Sequence, residues 1–187
     1  MIDVSPLQKR IQRFVRRIRN IWQIVVFLTV LLYAVAAIHY FKVRPQFNTN
    51  LAPYLTALEN ISLFIAFALL IGIFLIKRKY FSRHYHRTRL MQLMKSSDND
   101  KGEVLHELLE TLAPRFTWVW FLAFLVVSDG VLFYWLTFSP QYLHMFFIVG
   151  LFSLFLNYPR EEMFSELPWQ VERLKLDMEP DRSGSRD

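Results

Sequence analysis

The stretch WVWFLAFLVVSDGVLFYWLTF, residues 118–138, decides the fold, because it is long enough and apolar enough to cross a bilayer as one helix. A hydrocarbon core about 30 Å thick requires about 20 helical residues. Segments that hold nearly all of the charge separate this stretch from three further apolar stretches, residues 21–40, 58–76 and 143–158. The pattern predicts a polytopic membrane protein with four spans.

The fourth stretch is short unless its helix begins earlier, at Pro140. Proline is favourable as a first helical residue because its missing N–H would have no partner there, and the Ser139 hydroxyl can cap the first turn. In lipid, backbone polar groups must be paired within a helix or a closed barrel. None of the four stretches alternates polar and apolar residues as barrel strands do. We therefore predict an all-α fold of four transmembrane helices in two antiparallel hairpins, with amphipathic flanking helices.

The basic residues are distributed asymmetrically along the chain. Of the 22 lysines and arginines, only Lys42 and Arg44 fall in the first connection, and the third connection has none. By the positive-inside rule, both termini and the connection at residues 77–117 are cytoplasmic. The basic residues that give the net charge of +6 would then orient the spans and contact anionic headgroups, so the charge does not indicate nucleic-acid binding. We expect an integral membrane protein, with a bacterial inner (cell) membrane as the default location.

The spans divide the chain into three segments. A basic amphipathic helix is predicted at residues 1–20, and the transmembrane domain at residues 21–158. A cytoplasmic amphipathic segment and a mobile tail complete the chain at residues 159–187. We expect the first helix to lie in the headgroup layer before it bends into the first span, or to be a plain topogenic flank. Its apolar positions recur at helical spacing and are Leu7, Ile11, Phe14, Val15 and Ile18.

A second amphipathic helix is predicted at residues 103–112, after a polar turn at Ser96–Gly102, and Pro114 should end it. Its apolar face could pack on the inner end of the bundle or on a partner subunit. After the fourth span, residues 159–176 have the pattern of an interfacial or docking segment. The chain is polar from Asp177 onward, which predicts a mobile tail.

Asp129 is the most informative polar residue, because it lies near the middle of the stretch that decides the fold. A carboxylate at the bilayer centre costs about 2.5–3.5 kcal/mol on insertion scales, so it normally faces the bundle interior or a partner. We expect it to be protonated and bonded to a hydroxyl. It would act as a proton or cation relay, or as a polar link between helices that Ser128 and Gly130 allow to approach closely. The candidate hydroxyl donors are Tyr33, Thr29 and Ser153.

Two histidines fall at similar depth in an antiparallel bundle, near the outer ends of the first and fourth spans. If they face each other, His39 and His144 could ligate a b-type haem. His84 and His86 lie in a basic inner segment without a nearby carboxylate or thiolate, so no metal site is predicted there. The chain has no cysteine, which excludes disulfides and thiolate metal sites.

Two smaller features concern helix contacts and the membrane interface. Ala68 and Gly72, four residues apart in the second span, predict a face for close helix packing. Glu59 is expected at the outer start of that span. The larger aromatic residues fit interfacial belts, although their number also suits helix packing. They include Trp22, Trp118, Trp120, Trp135 and Tyr142.

These observations favour a structural role over catalysis. The sequence contains no nucleophile–base pair, phosphate loop or metal-ligand cluster of recognised spacing, so no enzyme activity is predicted. The leading hypothesis is an accessory or scaffolding subunit of a larger membrane complex, which contacts lipids and other subunits through Ala68, Gly72, Asp129 and the inner helices. One alternative is a small proton or ion pathway centred on Asp129. The other is an electron carrier that binds haem through His39 and His144.

Overall fold

The computed structural model describes residues 5–43, 45, 49–96 and 101–178, and these form helices joined by short connections. Most of the predicted polar turn at Ser96–Gly102 and of the predicted mobile tail lies outside the described residues. The α-helices are α1 (Ser5–Val43), α2 (Leu55–Tyr80), α3 (Arg83–Ser96), α4 (Lys101–Thr137), α5 (Pro140–Leu156) and α6 (Leu167–Met178), and two short 3-10 helices lie at Thr49–Tyr54 and Glu161–Phe164.

Several of these helices are long and apolar enough to cross a membrane. Within the described residues, Pro6–Val43, Asn50–Tyr80 and Gly102–Thr137 meet this requirement. The number rises to four if the successive helices Pro140–Leu156 and Glu161–Leu174 are counted as one span. The prediction of an all-helical fold is confirmed, and the helix lengths and compositions are consistent with an integral membrane protein.

Two compact units share the chain, and the long helices contribute to both. The span unit comprises Asn20–Ile76 and Thr117–Tyr158. The flanking unit comprises Met1–Arg19, Lys77–Phe116 and Pro159–Asp187.

The core of the span unit depends on close packing of α4 against α5. A Cβ added at Gly130 of α4 would lie 2.6 Å from Cβ of Phe146 on α5. A Cβ added at Gly150 of α5 would lie 2.9 Å from the backbone oxygen of Ala123 and would also clash with Val127 on α4. Each helix thus has a glycine where the other helix inserts a side chain, which allows the two backbones to approach closely.

In the flanking unit, three amphipathic segments bury their apolar faces together. The expectation that the first of these faces lies in the headgroup layer is wrong, because all five of its predicted apolar residues are at most 7% exposed. Phe14 packs edge-to-face on Phe164, with ring centroids 5.6 Å apart. Burial of apolar area within the chain removes it from water as effectively as lipid would. The other core residues include Val104, Leu105, Leu108, Leu109, Leu112, Leu167 and Val171.

Pro114 does not end a helix, contrary to the prediction, because α4 continues from Lys101 to Thr137 with Pro114 inside it. Proline removes one backbone hydrogen bond and crowds the preceding turn. Here the apolar side chains on both sides of Pro114 are buried, since Leu112 is fully buried and Phe116 is 3% exposed. Tertiary packing of this kind outweighs a local helix-breaking preference.

The turn between α4 and α5 confirms the predicted helix start at Pro140 and corrects its cap. Ser139 has an extended backbone and its side chain makes no capping hydrogen bond. The hydroxyl of Thr137 instead accepts a hydrogen bond from the Ser139 N–H at 3.2 Å and donates to the Phe133 carbonyl at 2.9 Å. Phe138 between them adopts a left-handed conformation with φ of 57°. The turn is therefore stabilised from the end of α4, without the serine hydroxyl.

Candidate functional site

Asp129 is linked to a hydroxyl on a neighbouring helix of the span unit. Its Oδ2 accepts a hydrogen bond of 2.8 Å from Ser62 Oγ, which belongs to α2. Ser62 is only 5% exposed and is one of three buried residues along α2. A hydroxyl partner was expected, but the donor is Ser62, because α2 is the helix that packs on this side of α4.

The three hydroxyls proposed from the sequence have other environments. Thr29 donates to the carbonyl of Val25 within its own helix, at 2.7 Å. Tyr33 bonds to His144. Ser153 is 7% exposed, and its backbone carbonyl accepts a hydrogen bond from the Asn157 amide at 2.7 Å.

A second carboxylate lies on the same side of α2. Glu59 interacts through its side chain with the Tyr142 hydroxyl of α5. Glu59 and Ser62 are three residues apart and therefore share one helix face. Because α2 begins at Leu55, Glu59 is already in its second turn and is not the first residue of the helix. This face of α2 presents a carboxylate to α5 and a hydroxyl to α4.

Each of the two span histidines is paired with a tyrosine. His39 Nδ1 lies 2.8 Å from the hydroxyl of Tyr134, and His144 Nδ1 lies 3.0 Å from the hydroxyl of Tyr33. These contacts join α1 to α4 and to α5. The Nε2 atoms are the nitrogens that could ligate a haem iron, as ligating histidines commonly bond a second group through the other nitrogen. The observed partners are two different tyrosines, so the contacts describe two separate helix links.

Further polar groups of the span unit are also used in links to the backbone. Ser128 donates to the Phe124 carbonyl of its own helix at 3.0 Å. The indole N–H of Trp22 donates to the Leu154 carbonyl at 3.0 Å, and that of Trp120 to the Asn157 carbonyl at 2.9 Å. These tryptophans donate to carbonyls at the end of α5 and just after it, and the Leu154 carbonyl also accepts the Asn157 N–H at 3.2 Å. Among the described residues, no group of three histidine or acidic side chains is arranged to hold a metal ion.

The structure places Ala68 and Gly72 in different surroundings. A Cβ added at Gly72 would lie 3.4 Å from Leu122 Cδ1, so Gly72 faces α4 of its own chain. Ala68 is exposed. At 100° per residue, Ala68 lies on the opposite side of α2 from the buried residues. Those buried residues are Ser62, Ala66 and Ile73.

Sequence reasoning did not identify Ser62, Tyr134 or Tyr142 as polar partners. Ser62 had a usable signal, since it is the only hydroxyl residue between positions 58 and 76. The tyrosines had none, because tyrosine at these depths is also typical of an interfacial belt.

Comparison of the chain with protein-family models, with curated proteins and with solved structures found no match.

Proposed function

We propose that this chain is an accessory or scaffolding subunit of a larger integral-membrane complex. Four spans in two antiparallel hairpins would place both termini and the basic connection in the cytoplasm, in a bacterial inner membrane. The proposed partners are other membrane-protein subunits, through helix–helix contacts, and anionic lipid headgroups, through the basic flanks.

The observation that carries this proposal is the use of polar side chains in the span unit. Asp129, His39 and His144 each bond to a hydroxyl of a different helix. Threonine and serine hydroxyls are bonded to carbonyls of their own helices. Hydrogen bonds between helices fix the helices relative to one another. A rigid bundle whose polar groups are hydrogen-bonded within the chain is suited to support other subunits.

The surface that we propose for a partner is the outer face of α2, which we define as Ile61, Phe64, Ala68, Ile71 and Leu75. The four large residues of this face are between 43% and 74% exposed. Ala68 is the small residue among them, and a small residue between large ones lets a partner helix approach closely. The flanking helices are not proposed as the docking surface, because their apolar faces are buried within the chain.

Cysteine cross-linking tests this proposal directly, because the natural chain contains no cysteine. Ala68→Cys, treated in membranes with a short bifunctional thiol reagent, should yield a discrete adduct with one co-purifying polypeptide. Phe152→Cys on α5 is the matched control, since Phe152 is 62% exposed and lies off the outer face. Equal cross-linking from both positions, or a chain that purifies alone from mild detergent, would contradict the proposal.

A second candidate function, a small proton or ion pathway centred on Asp129, is supported by one specific observation. Glu59 and Ser62 share a face of α2, and each contacts a polar group on another helix. Titratable groups placed in succession within a membrane are typical of proton relays. Proton flux into liposomes that is present in the natural chain and lost in Asp129→Asn would favour this function over the scaffolding role.

A further inference from the structure

The flanking unit contains a cavity of about 300 Å³ where α1 lies against the first part of α4. Its polar lining is mainly basic and comprises Arg10, Arg13 and Arg17 of α1 with His106 and Glu110 of α4. The buried side chains of Phe14 and Leu109 complete the lining. The three arginines and the histidine are exposed, so a ligand that enters from solvent reaches their N–H groups directly.

Two hydrogen bonds fix α1 against α4 at the two ends of this cavity. Arg10 Nη1 donates to the Gly102 carbonyl at 3.0 Å, and Arg17 Nη1 donates to Glu110 Oε1 at 2.7 Å. The bonded residues are 92 and 93 positions apart, so the two helices run in the same direction here. A Cβ added at Gly102 would lie 2.8 Å from Arg10 Cζ, so the guanidinium occupies the space that a side chain would take.

Between these two bonds lie two polar side chains that the protein leaves without a partner. At the same offset along the chain, Arg13 and Phe14 of α1 are level with Leu105 and His106 of α4. Arg13 and His106 both line the cavity, and neither makes a hydrogen bond or an ion pair within the described part of the chain. A guanidinium carries several N–H donors, and a neutral imidazole carries one. The middle of the cavity therefore presents donors to which no described residue supplies an acceptor.

The charge of the lining indicates the sign of a ligand. Three arginines and one carboxylate leave the lining positive when the histidine is neutral. Arg17 and Glu110 compensate each other, whereas Arg10 is bonded to a neutral carbonyl. A cavity whose cationic groups are not fully compensated attracts anions.

We propose that this cavity binds a phosphate group, which accepts hydrogen bonds from Arg13 and His106 and whose charge is compensated by Arg10 and Arg13. Arginine donors match phosphate oxygens in geometry as well as in charge. The three oxygens of a terminal phosphate project in different directions, so donors from two helices reach different oxygens. The two oxygens of a carboxylate lie in one plane and fit such an arrangement less well.

The phosphate comes either from solution or from a lipid headgroup, because both present the same oxygens. The lipid source rests on the contact of the basic flanks with anionic headgroups that we propose above. Arg17 precedes the apolar stretch at residues 21–40 by only four positions, and basic pockets at the cytoplasmic ends of spans are suited to phosphate-bearing headgroups.

Two phosphate probes distinguish the sources, and both are applied to the full chain. In phosphatidylcholine nanodiscs, the chain is titrated with inorganic phosphate by calorimetry, and chloride keeps the ionic strength constant so that diffuse attraction stays screened. In a second sample the nanodiscs contain phosphatidic acid, which has a terminal phosphate, and the melting temperature is compared with that in phosphatidylcholine. Saturable binding of inorganic phosphate identifies a ligand from solution. A higher melting temperature with phosphatidic acid, without binding of inorganic phosphate, identifies the headgroup.

Matched arginine variants test the assigned contact. Arg13→Gln should weaken phosphate binding about tenfold, or remove most of the gain in melting temperature, because it deletes the charged donor. The side chain is exposed, so this substitution leaves the core intact. Arg16→Gln is the control, since Arg16 is an exposed residue of the same helix that does not line the cavity. The control removes the same charge and should leave the response nearly unchanged.

Glu110→Gln tests the site with the opposite sign. It removes the carboxylate from the lining and releases Arg17, so binding should become about twofold to fivefold tighter. Equal losses from Arg13→Gln and Arg16→Gln would overturn the proposal and leave only diffuse contact of the basic flanks with headgroups. A natural chain that responds to neither probe, or binding that Glu110→Gln fails to strengthen, would overturn it as well. The scaffolding role would stand in each case, because cross-linking at Ala68 tests it separately.

Discussion

Ser62 of α2 donates a 2.8 Å hydrogen bond to the carboxyl group of Asp129 on α4. The bond joins residues 67 positions apart in the chain. It gives Asp129 a partner within its own chain and fixes the rotation of α2 about its axis. The same rotation turns Ala68 outward and Ala66 inward.

Loss of this hydroxyl should destabilise the span unit. Ser62→Ala removes the donor to Asp129, and interhelical hydrogen bonds in membranes contribute about 0.6–1.7 kcal/mol. We expect a loss of about 1 kcal/mol in the free energy of unfolding, measured by denaturation in mixed micelles. Ser128→Ala is the control, because its hydroxyl bonds only to the Phe124 carbonyl of its own helix. A larger effect of the control than of Ser62→Ala would show that the interhelical bond is not formed.

Glycine substitutions should separate close helix contacts from ordinary ones. In Gly130→Ala the new methyl group would lie 2.6 Å from Phe146 Cβ, and overpacking of this kind costs about 1–3 kcal/mol. Gly72→Ala would place its methyl group at 3.4 Å from the flexible end of Leu122, which is an ordinary contact. The measurement is the free energy of unfolding of the two variants in the same micelles. Equal stability would contradict the observed packing of α4 on α5.

The core of the flanking unit can be tested at Phe14. This residue is 7% exposed and packs on Phe164, so Phe14→Ala should cost about 3–5 kcal/mol. Trp169→Ala is the control for an aromatic side chain of the same unit, since Trp169 is 58% exposed. Limited proteolysis between residues 77 and 116 should be faster only in the first variant. Similar resistance in both variants would place the Phe14 face in lipid, as the sequence alone suggested.

His86 should make the stability of the flanking unit depend on pH. Burial lowers the pKa of His86 in the folded state below its ordinary value of 6.5. Above that pH both the folded and the unfolded chain carry a neutral ring, so the group has no effect. As the pH falls below it, the unfolded chain takes up the proton first, and the folded state loses stability.

The comparison that isolates this effect is between the natural chain and His86→Gln, measured from pH 7.5 to 5. As the pH falls, the melting temperature of the natural chain should decrease more than that of the variant. The charged groups that line the cavity beside His86 are Arg83, Glu162 and Glu166, and all three are retained in the variant. A pH-independent difference would show that His86 is not buried in the neutral form.

Hydropathy was sufficient to predict the apolar parts of α1, α2, α4 and α5, because a bilayer-length apolar stretch leaves few alternatives. It did not predict α3, which is strongly basic, or the continuity of α4 from Lys101 to Thr137. The start of α5 at Pro140 was predictable for the same local reasons. The continuation of α4 through Pro114 was not predictable in this way. The rule that proline ends a helix takes no account of the burial of Leu112 and Phe116 on either side of it. Local rules fail here because tertiary packing decides the outcome.

The candidate site was only partly predictable. Asp129 stood out because of its depth in the third span, but its partner depends on which helices are neighbours and how they are rotated. Trp120 looked like an interfacial residue, and yet it is fully buried and bonded to the Asn157 carbonyl. His86 and Gln170 lie 84 positions apart, so no local pattern could show that they line one cavity.

The most direct test of the account is the side of the membrane on which each connection lies. Single cysteines are introduced into the cysteine-free chain at four exposed positions, Asn50, Gln92, Gln141 and Ser165. An impermeant thiol reagent is applied to intact cells and to inverted vesicles. The account predicts that positions 92 and 165 react only in inverted vesicles and positions 50 and 141 only in intact cells. Labelling of positions 92 and 165 from opposite sides would contradict it.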